Sequence, residues 1–375
     1  MLGKCYSSNV SVMEQLTHRG ISISFGSLPI CPGGYNDAVS QDISQLWTSV
    51  LSSTSAQRKS RLIIIDDGGF CLSSCPSQVS TRWSTAGIEQ TTSGLAKAAK
   101  CNFPVISVAA SAAKRLLEPP LIAEAVARRI ATLFANKRSH VRCGIIGYGS
   151  IGKALSKYLA ELGQTVSIYD NTTGSITDDK HITSVEDLSQ LCAASDLIFG
   201  CTGKDVFADF GKSEWSALNG KYLISCSSGD IEFRTVLRFS AADFSRNPLD
   251  TMSNYQIQLP ANGGRATVIR GGFPVNFDGG IESVPAADIQ LTRGLLLGAV
   301  IQILLSETNL TDDFAGEVML DPDIQCFVIN SWIKDRNISD SDLNSNERDL
   351  RKSSNYIYHN SGGKLTARLG WNTKA

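Results

Sequence analysis

The feature that most constrains this chain is a glycine-rich loop set between two apolar runs. The loop consists of Gly147, Tyr148, Gly149, Ser150, Ile151 and Gly152. An apolar run, residues 141–146, precedes it, and an amphipathic stretch, residues 154–162, follows it. A second apolar run, residues 165–169, then ends at Asp170. This order of strand, glycine loop, helix and strand is typical of a dinucleotide-binding βαβ unit. It predicts an α/β protein with a Rossmann-type NAD-binding domain.

Each position of the loop has a predicted role. Gly147 allows the tight turn, Gly149 lets the backbone approach a pyrophosphate, and Gly152 lets the helix pack closely on the strand. Ser150 and Ile151 open the helix, where unpaired N–H groups and the positive end of the helix dipole favour phosphate. These residues are therefore predicted to bind the cofactor.

Asp170 indicates which dinucleotide binds. A carboxylate just past the second strand can accept hydrogen bonds from the ribose hydroxyls, and it repels a 2′-phosphate. The sequence therefore predicts NAD rather than NADP. The alternative is a glycine turn in an α/β protein that has lost its ligand.

Length and composition allow two domains and exclude few classes. The chain has 375 residues, of which 42% are hydrophobic and 19% charged, and its net charge is −1. This balance gives no reason to expect nucleic acid or an anionic membrane as partner. The ten cysteines are scattered without zinc spacing, so we expect reduced thiols, no metal and a cytoplasmic location. The first residues form no continuous apolar segment of signal-peptide type, so we expect no leader peptide, and we expect no apolar run long enough to span a membrane.

The pattern of apolar runs predicts the other elements. Strands are expected at residues 62–65, 105–108, 197–201 and 222–226, and late strands or a hairpin at 266–270 and 273–277. Helices are expected at 38–51, at 121–134 behind Pro119 and Pro120, and at 286–306. We predict an N-terminal α/β substrate-side domain (1–118) and a Rossmann domain (119–285). A hinge helix with a polar C-terminal segment (286–375) follows.

Several segments, taken in order, resemble S-adenosylhomocysteine hydrolase over roughly residues 60–305. They are residues 65–69, 87–94 and 104–114, the glycine loop, residues 201–203 and residues 274–276. The resemblance implies NAD as cofactor. It places Thr91, Thr92 and Ser93 against the cofactor, Thr202 and Gly203 along the Rossmann sheet, and Asn276 at the nicotinamide. Without the resemblance, the hydroxyl trio fits a turn or a helix cap equally well.

On the substrate side the resemblance implies Asp67, Lys114 and Glu118. Lys114 would take a hydroxyl proton as hydride leaves, and Glu118 and Asp67 would orient the substrate. The alternatives are a solvated lysine at a helix end, an acid favoured by the helix dipole, and a carboxylate that caps a turn. Gln90 stands where the family has a glutamate, and it cannot act as a base.

These departures make standard hydrolase chemistry doubtful, since none of the four histidines matches a catalytic position of the family. The leading hypothesis is a divergent NAD-dependent enzyme that oxidises a hydroxyl of a nucleoside-like or small polyol substrate. The alternatives are a non-catalytic NAD-binding or regulatory protein and an authentic adenosylhomocysteine hydrolase. The expected partners are a small-molecule substrate and, as an open option, further copies of the chain.

Overall fold

The computed structural model describes residues 1–29, 31, 33–52, 60–133, 140–172, 181–239, 253–260, 263–277, 283–305 and 315–336. The chain divides into two compact units. The first unit combines Met1–Asp42 with Pro119–Val284, and the second combines Ile43–Glu118 with Pro285–Ala375. The sequence-based division instead groups residues 1–118, and its domain limits stay a prediction.

The described residues form the following elements. The strands are β1 Leu2–Gly3, β2 Ser24–Phe25, β3 Arg61–Asp66, β4 Ser84–Glu89, β5 Pro104–Ser107, β6 Arg142–Ile146, β7 Thr165–Tyr169, β8 Ile182–Ser184, β9 Leu197–Gly200, β10 Tyr222–Ser225, β11 Tyr255–Gln258, β12 Arg265–Val268 and β13 Gly316–Met319. The helices are α1 Val10–His18, α2 Tyr35–Ser52, α3 Phe70–Ser73, α4 Ser77–Arg82, α5 Leu95–Ala98, α6 Ala112–Leu133, α7 Ser150–Glu161, α8 Leu188–Ala194, α9 Arg234–Arg238, α10 Ala286–Leu305 and α11 Pro322–Asp335.

The first unit is built on a seven-stranded sheet of order β11-β12-β10-β9-β6-β7-β8. All neighbouring strands are parallel except β11, which runs antiparallel to β12. Every residue of β9 is buried, as expected for a parallel strand covered on both faces. The predicted α/β fold with a Rossmann-type domain is thus confirmed.

Of the late strands or hairpin predicted at 266–270 and 273–277, the first strand is confirmed as β12, whereas the second strand and the hairpin are wrong. Residues 273–277 form no strand, and the antiparallel partner of β12 is the upstream strand β11. After β12 the backbone takes positive φ angles at Arg270 (51°), Gly271 (60°) and Gly272 (83°). This left-handed turn carries the chain away from a hairpin path. Phe273 is instead fully buried and stacks on the ring of Tyr6.

The N-terminal segment packs onto residues of the Rossmann domain within the first unit. Asp230 is fully buried, and its carboxylate accepts hydrogen bonds from the backbone N–H groups of Gly33 (2.9 Å) and Tyr35 (3.2 Å). Tyr35, Tyr6 and Phe273 form an aromatic cluster. These long-range contacts account for the grouping of the first 42 residues with this unit.

The second unit contains a four-stranded parallel sheet of order β13-β5-β4-β3. Its register places Asp66 of β3 beside Glu89 of β4. Helix α6 begins nine residues earlier than predicted, at Ala112 rather than residue 121, and Pro119 and Pro120 lie inside it. The boundary between the compact units falls at Pro119.

Helix α10 packs along α11 in the second unit. A Cβ added at Gly298 would lie 2.3 Å from Cγ2 of Ile324, so glycine is what allows the close approach. By length and composition alone α10 could cross a membrane, the one helix of the described residues to do so. One such helix is weak evidence, because core helices of soluble proteins pass the same test.

Candidate functional site

The glycine loop follows β6 and has the close contacts that demand glycine. The φ angle of Gly147 is 95°, and its N–H donates to the carbonyl of Tyr169 at 2.8 Å. A Cβ at Gly147 would lie 2.8 Å from Cγ2 of Thr202. A Cβ at Gly152 would lie 1.9 Å from the carbonyl oxygen of Gly147, which is a severe clash. The turn and the close packing of α7 on it therefore follow from these two glycines.

Gly149 leaves room at the start of α7. Its φ of −74° suits any residue, and no heavy atom of the described chain lies within 4 Å of a Cβ added there. Among the described residues no side chain caps the helix, and its first turn, which begins at Ser150 and Ile151, carries no acid. Open N–H groups and free space above them are what a pyrophosphate requires. These residues fit a dinucleotide.

Asp170 is tied to the glycine loop. Its carboxylate accepts hydrogen bonds from the N–H of Tyr148 (2.6 Å) and from the N–H (2.8 Å) and hydroxyl (2.5 Å) of Thr172. Burial raises the pKa of Asp170, but these hydrogen bonds and the ammonium of Lys153 outweigh it and hold the pKa below its usual value. A charged acid therefore lies at the carboxyl end of β7.

A buried carboxylate that the sequence analysis missed, Glu232, organises the loop after β9. It accepts hydrogen bonds from the N–H and hydroxyl of Thr202, the N–H of Gly203 (2.8 Å) and the hydroxyl of Ser227 (2.8 Å). Burial raises the pKa of Glu232 more than these donors lower it. The sequence gives only a weak indication of this role, an acid between the apolar residues Ile231 and Phe233.

Asn276 lies near the carboxyl edge of the same sheet. It is buried, and the neighbouring Val275 donates its N–H to the carbonyl of Ser225, the last residue of β10, at 3.0 Å. The first unit thus brings together three segments at this edge, namely the glycine loop, Thr202–Gly203 and Asn276. This edge is where ligands bind in open α/β sheets.

The remaining candidates belong to the second unit. Asp67 follows β3, and Gln90 and Thr91 follow β4. Thr92 and Ser93 enter a 3-10 turn, in which the hydroxyl of Ser93 lies 3.3 Å from that of Thr91. The roles of Thr91, Thr92 and Ser93 toward a cofactor stay predictions.

Lys114 and Glu118 form an ion pair one turn apart on α6, at 2.5 Å. The hydroxyl of Thr292 on α10 donates to the same Glu118 oxygen at 2.6 Å. Both charged side chains are mostly buried, with relative exposures of 12% and 14%. Lys114 and Glu118 are therefore a mostly buried ion pair, and the hydrogen bond from Thr292 fixes the position of its carboxylate.

The second unit also holds a buried pair of acids that the sequence analysis did not select, Asp66 and Glu89. Burial raises the pKa of Glu89 to about 6, although hydrogen bonds from Thr91 and Gly68 lower it. Burial likewise raises the pKa of Asp66 and lowers that of Lys97 nearby. The signal available for Asp66 was position, since it directly follows the predicted strand at residues 62–65, whereas no strand was predicted before Glu89.

No metal centre emerges from the part of the chain that the structure describes. Within it, no three side chains among His, Cys, Asp and Glu come together to hold a metal ion. All ten cysteines are free thiols.

Residues 122–204 match the NAD-binding domain of the D-isomer specific 2-hydroxyacid dehydrogenases. This segment binds NAD. It contains the glycine loop, Asp170, Thr202 and Gly203, so the predicted cofactor is confirmed. The assignment to the S-adenosylhomocysteine hydrolase family is wrong, because the NAD-binding segment matches a different family. Two of the motifs that led to it, the glycine loop and residues 201–203, serve dinucleotide binding on a Rossmann fold, which proteins of many activities share.

Two curated relatives are uncharacterized proteins from two strains of Mycobacterium tuberculosis. Each is 31% identical to this chain over 305 residues, which is 80% of this chain and 57% of the relative. The chain therefore spans little more than half the length of these relatives.

Similar solved structures are distant dehydrogenases. A dehydrogenase from Rhizobium meliloti is 14% identical, with 80% of this chain and 97% of that chain covered at a TM-score of 0.40. A 2-hydroxyacid dehydrogenase from Ketogulonicigenium vulgare is 15% identical, with 80% and 94% covered at 0.40. An NAD-dependent formate dehydrogenase from Staphylococcus aureus, in complex with NAD, is 17% identical, with 51% and 68% covered at 0.32. Likenesses at this level carry no argument about activity.

Proposed function

We propose that this chain is an NAD-dependent oxidoreductase that converts a small 2-hydroxy acid to the 2-keto acid. The observation that carries the proposal is the match of residues 122–204 to the NAD-binding domain of 2-hydroxyacid dehydrogenases. The open N-terminus of α7 and the charged Asp170 support it. The nucleoside-like substrate expected from the sequence is given up together with the resemblance that implied it.

The reaction needs a hydride acceptor and a proton acceptor. NAD supplies the acceptor for the hydride that leaves the hydroxyl-bearing carbon. The hydroxyl proton must pass to a side chain, and the substrate carboxylate needs a cation or N–H donors. The second unit offers a group for the proton transfer in the buried ion pair of Lys114 and Glu118.

We assign the proton transfer to Lys114. Its ammonium, held beside Glu118, suits the reduction direction, in which it donates a proton to the keto oxygen. Oxidation is the reverse, and the lysine then receives the hydroxyl proton. Thr292 and Glu118 orient the amine, and Asp67 and Gln90 follow the strand ends of the same unit as candidate substrate contacts.

The cellular setting forms part of the proposal. Ten free thiols suit a reducing compartment, which supports the cytoplasmic location expected from the sequence. A homo-oligomer stays a prediction.

The test is turnover of the purified chain with NAD and a panel of small 2-hydroxy acids, followed by NADH absorbance. The reverse reaction uses NADH and the matching 2-keto acids. We expect at least one acid to reduce NAD, and adenosylhomocysteine and nucleosides to give no reaction. If NAD binds tightly, but no hydroxy acid is oxidised by NAD and no keto acid is reduced by NADH, the chain is a non-catalytic NAD-binding protein and the proposal fails.

A further inference from the structure

One buried carboxylate in the second unit ties together the turns that follow two neighbouring strands. A single oxygen of Glu89 accepts hydrogen bonds from the N–H of Gly68 (3.1 Å), the N–H of Thr91 (2.8 Å) and the hydroxyl of Thr91 (2.6 Å). Gly68 directly follows Asp67, and Thr91 directly follows Gln90. Glu89 therefore fixes the backbone next to two proposed substrate contacts.

The other oxygen of Glu89 is buried and, among the residues that the structure describes, has no hydrogen-bond partner. The side chain is fully buried, and Gly94 lies so close that a Cβ there would be 2.2 Å from the carboxyl carbon. One oxygen of this carboxylate accepts three hydrogen bonds and the other accepts none from the described residues, which is an unfavourable arrangement for a buried group that is purely structural. The carboxylate is suited to changing its protonation state.

Three other groups act on this carboxylate from the elements around it. Asp66 of β3 adds a like charge, and Lys97 of α5 adds an opposite charge. The thiol of Cys101 is close enough that the charge of Glu89 raises the pKa of the thiol. Lys97 is not paired with the acid directly, because its ammonium donates to the carbonyl of Gly68 at 2.9 Å. The net result is a carboxyl whose charge is weakly compensated.

We propose that Glu89 is a positioning residue, which in its charged form holds Asp67 and Gln90 in place for the reaction and releases them when it is protonated. The inference rests on the proposed function, because it gives these two turns a role in substrate binding. The three donors bond more strongly to a carboxylate than to a neutral acid. Loss of the charge therefore loosens both turns together.

The protonation of Glu89 occurs in a pH range where turnover can be measured. The pKa of Glu89 is about 6, so the carboxylate is charged above that pH and neutral below it. Turnover is then expected to fall on the acidic side with a midpoint near pH 6, through kcat and the KM for the substrate. The NAD-binding segment, residues 122–204, belongs to the first unit, so NAD affinity should follow this transition only through the predicted contact of Thr91 with the cofactor.

The first measurement is hydrogen–deuterium exchange of the full chain from about pH 5 to about pH 8, corrected for intrinsic exchange rates. We expect protection of the amides of Gly68 and Thr91 to fall roughly tenfold below the transition in wild type. Glu89→Gln should show the low protection at every pH. Thr91→Val, which lacks one donor, should move the midpoint to higher pH. Glu232→Gln, a buried acid in the first unit, is the matched control and should leave these amides unchanged.

The second measurement is the pH profile of turnover. Glu89→Gln should lose the acidic limb near pH 6 and turn over at least about tenfold more slowly. Protection that is flat with pH in wild type would overturn the proposal, and so would a Glu89→Gln profile identical to that of wild type. A pH-dependent change in protection without turnover of any hydroxy acid would instead overturn the proposed function and leave Glu89 as a switch of these two turns.

Discussion

The carboxylate of Asp170 accepts a 2.6 Å hydrogen bond from the backbone N–H of Tyr148. Asp170 closes β7 and Tyr148 lies in the glycine loop after β6, so one acid links the ends of two neighbouring strands. Its other oxygen is held by Thr172. The acid therefore orders the loop, and by our prediction its charge would also face the adenosine ribose of bound NAD.

The first prediction concerns the choice of dinucleotide. At an effective dielectric near 20, two like charges about 4 Å apart repel by about 4 kcal/mol, an upper limit for a partly exposed group. Wild type should therefore bind NAD and reject NADP, and Asp170→Asn should narrow the difference by roughly tenfold or more. Calorimetric Kd values for both dinucleotides measure this. The control is Asp196→Asn, because Asp196 pairs with Arg142 at the opposite end of the sheet. Equal affinities in wild type would refute the role of Asp170.

The second prediction separates two glycines of one loop. Gly149→Ala places a methyl group in open space, so the fold should be unaffected and NAD affinity should drop by at least about tenfold. Gly152→Ala places the methyl 1.9 Å from the carbonyl oxygen of Gly147 and should cost about 1–3 kcal/mol of stability as well as NAD binding. Thermal unfolding and NAD titration distinguish the two. Equal loss of stability in both variants would contradict the open space at Gly149 and the close contact at Gly152.

The third prediction concerns Glu232 and the loop it holds. Glu232→Ala removes the acceptor of the N–H groups of Thr202 and Gly203, at a cost of about 0.5–1.5 kcal/mol for each hydrogen bond lost. Glu232→Gln keeps an acceptor and should fold. The pKa of Glu232 is raised in the folded state, so the native protein binds this proton more tightly than the unfolded chain. Wild type should therefore lose stability relative to Glu232→Gln as pH rises from about 4.5.

Urea unfolding of wild type and Glu232→Gln, measured as pH rises from about 4.5, shows whether wild type loses stability relative to the variant. If the difference in unfolding free energy between wild type and Glu232→Gln does not change with pH, the pKa of Glu232 is not raised by folding. The NAD titration of Glu232→Ala gives a second readout, since a loosened loop at the edge of the sheet should weaken NAD binding.

The Rossmann domain was predictable because its requirements are local. The turn at Gly147, the start of α7 and the acid at Asp170 follow one another within 24 residues, and each is demanded by the backbone or by the cofactor. The edge strand β3 and the buried strand β9 were both predicted from their apolar runs. The family could not be predicted in this way, because many NAD-binding proteins meet the same local requirements.

What the sequence could not indicate depends on pairing between distant residues. Asp230 holds Gly33 and Tyr35 across almost 200 positions of the chain, and Thr292 meets Glu118 across 174. Glu232 and Glu89 look like ordinary acids until folding buries them against backbone N–H groups. Their raised pKa values are consequences of burial, which no local pattern encodes.

The last prediction tests the proton-transfer group. Lys114→Met keeps the bulk of the side chain and removes the ammonium, while Glu118 retains its hydrogen bond from Thr292. Turnover of a 2-hydroxy acid should therefore fall by at least about 10² with an unchanged Kd for NAD, since loss of a general acid or base costs about 10²–10⁴. Arg115→Met is the matched control, because Arg115 is the next residue on the same helix and is exposed. It should leave turnover within about twofold of wild type. If Lys114→Met turns over as fast as Arg115→Met, the proton passes through another group, and Glu118→Gln and Asp67→Asn become the variants that decide which one.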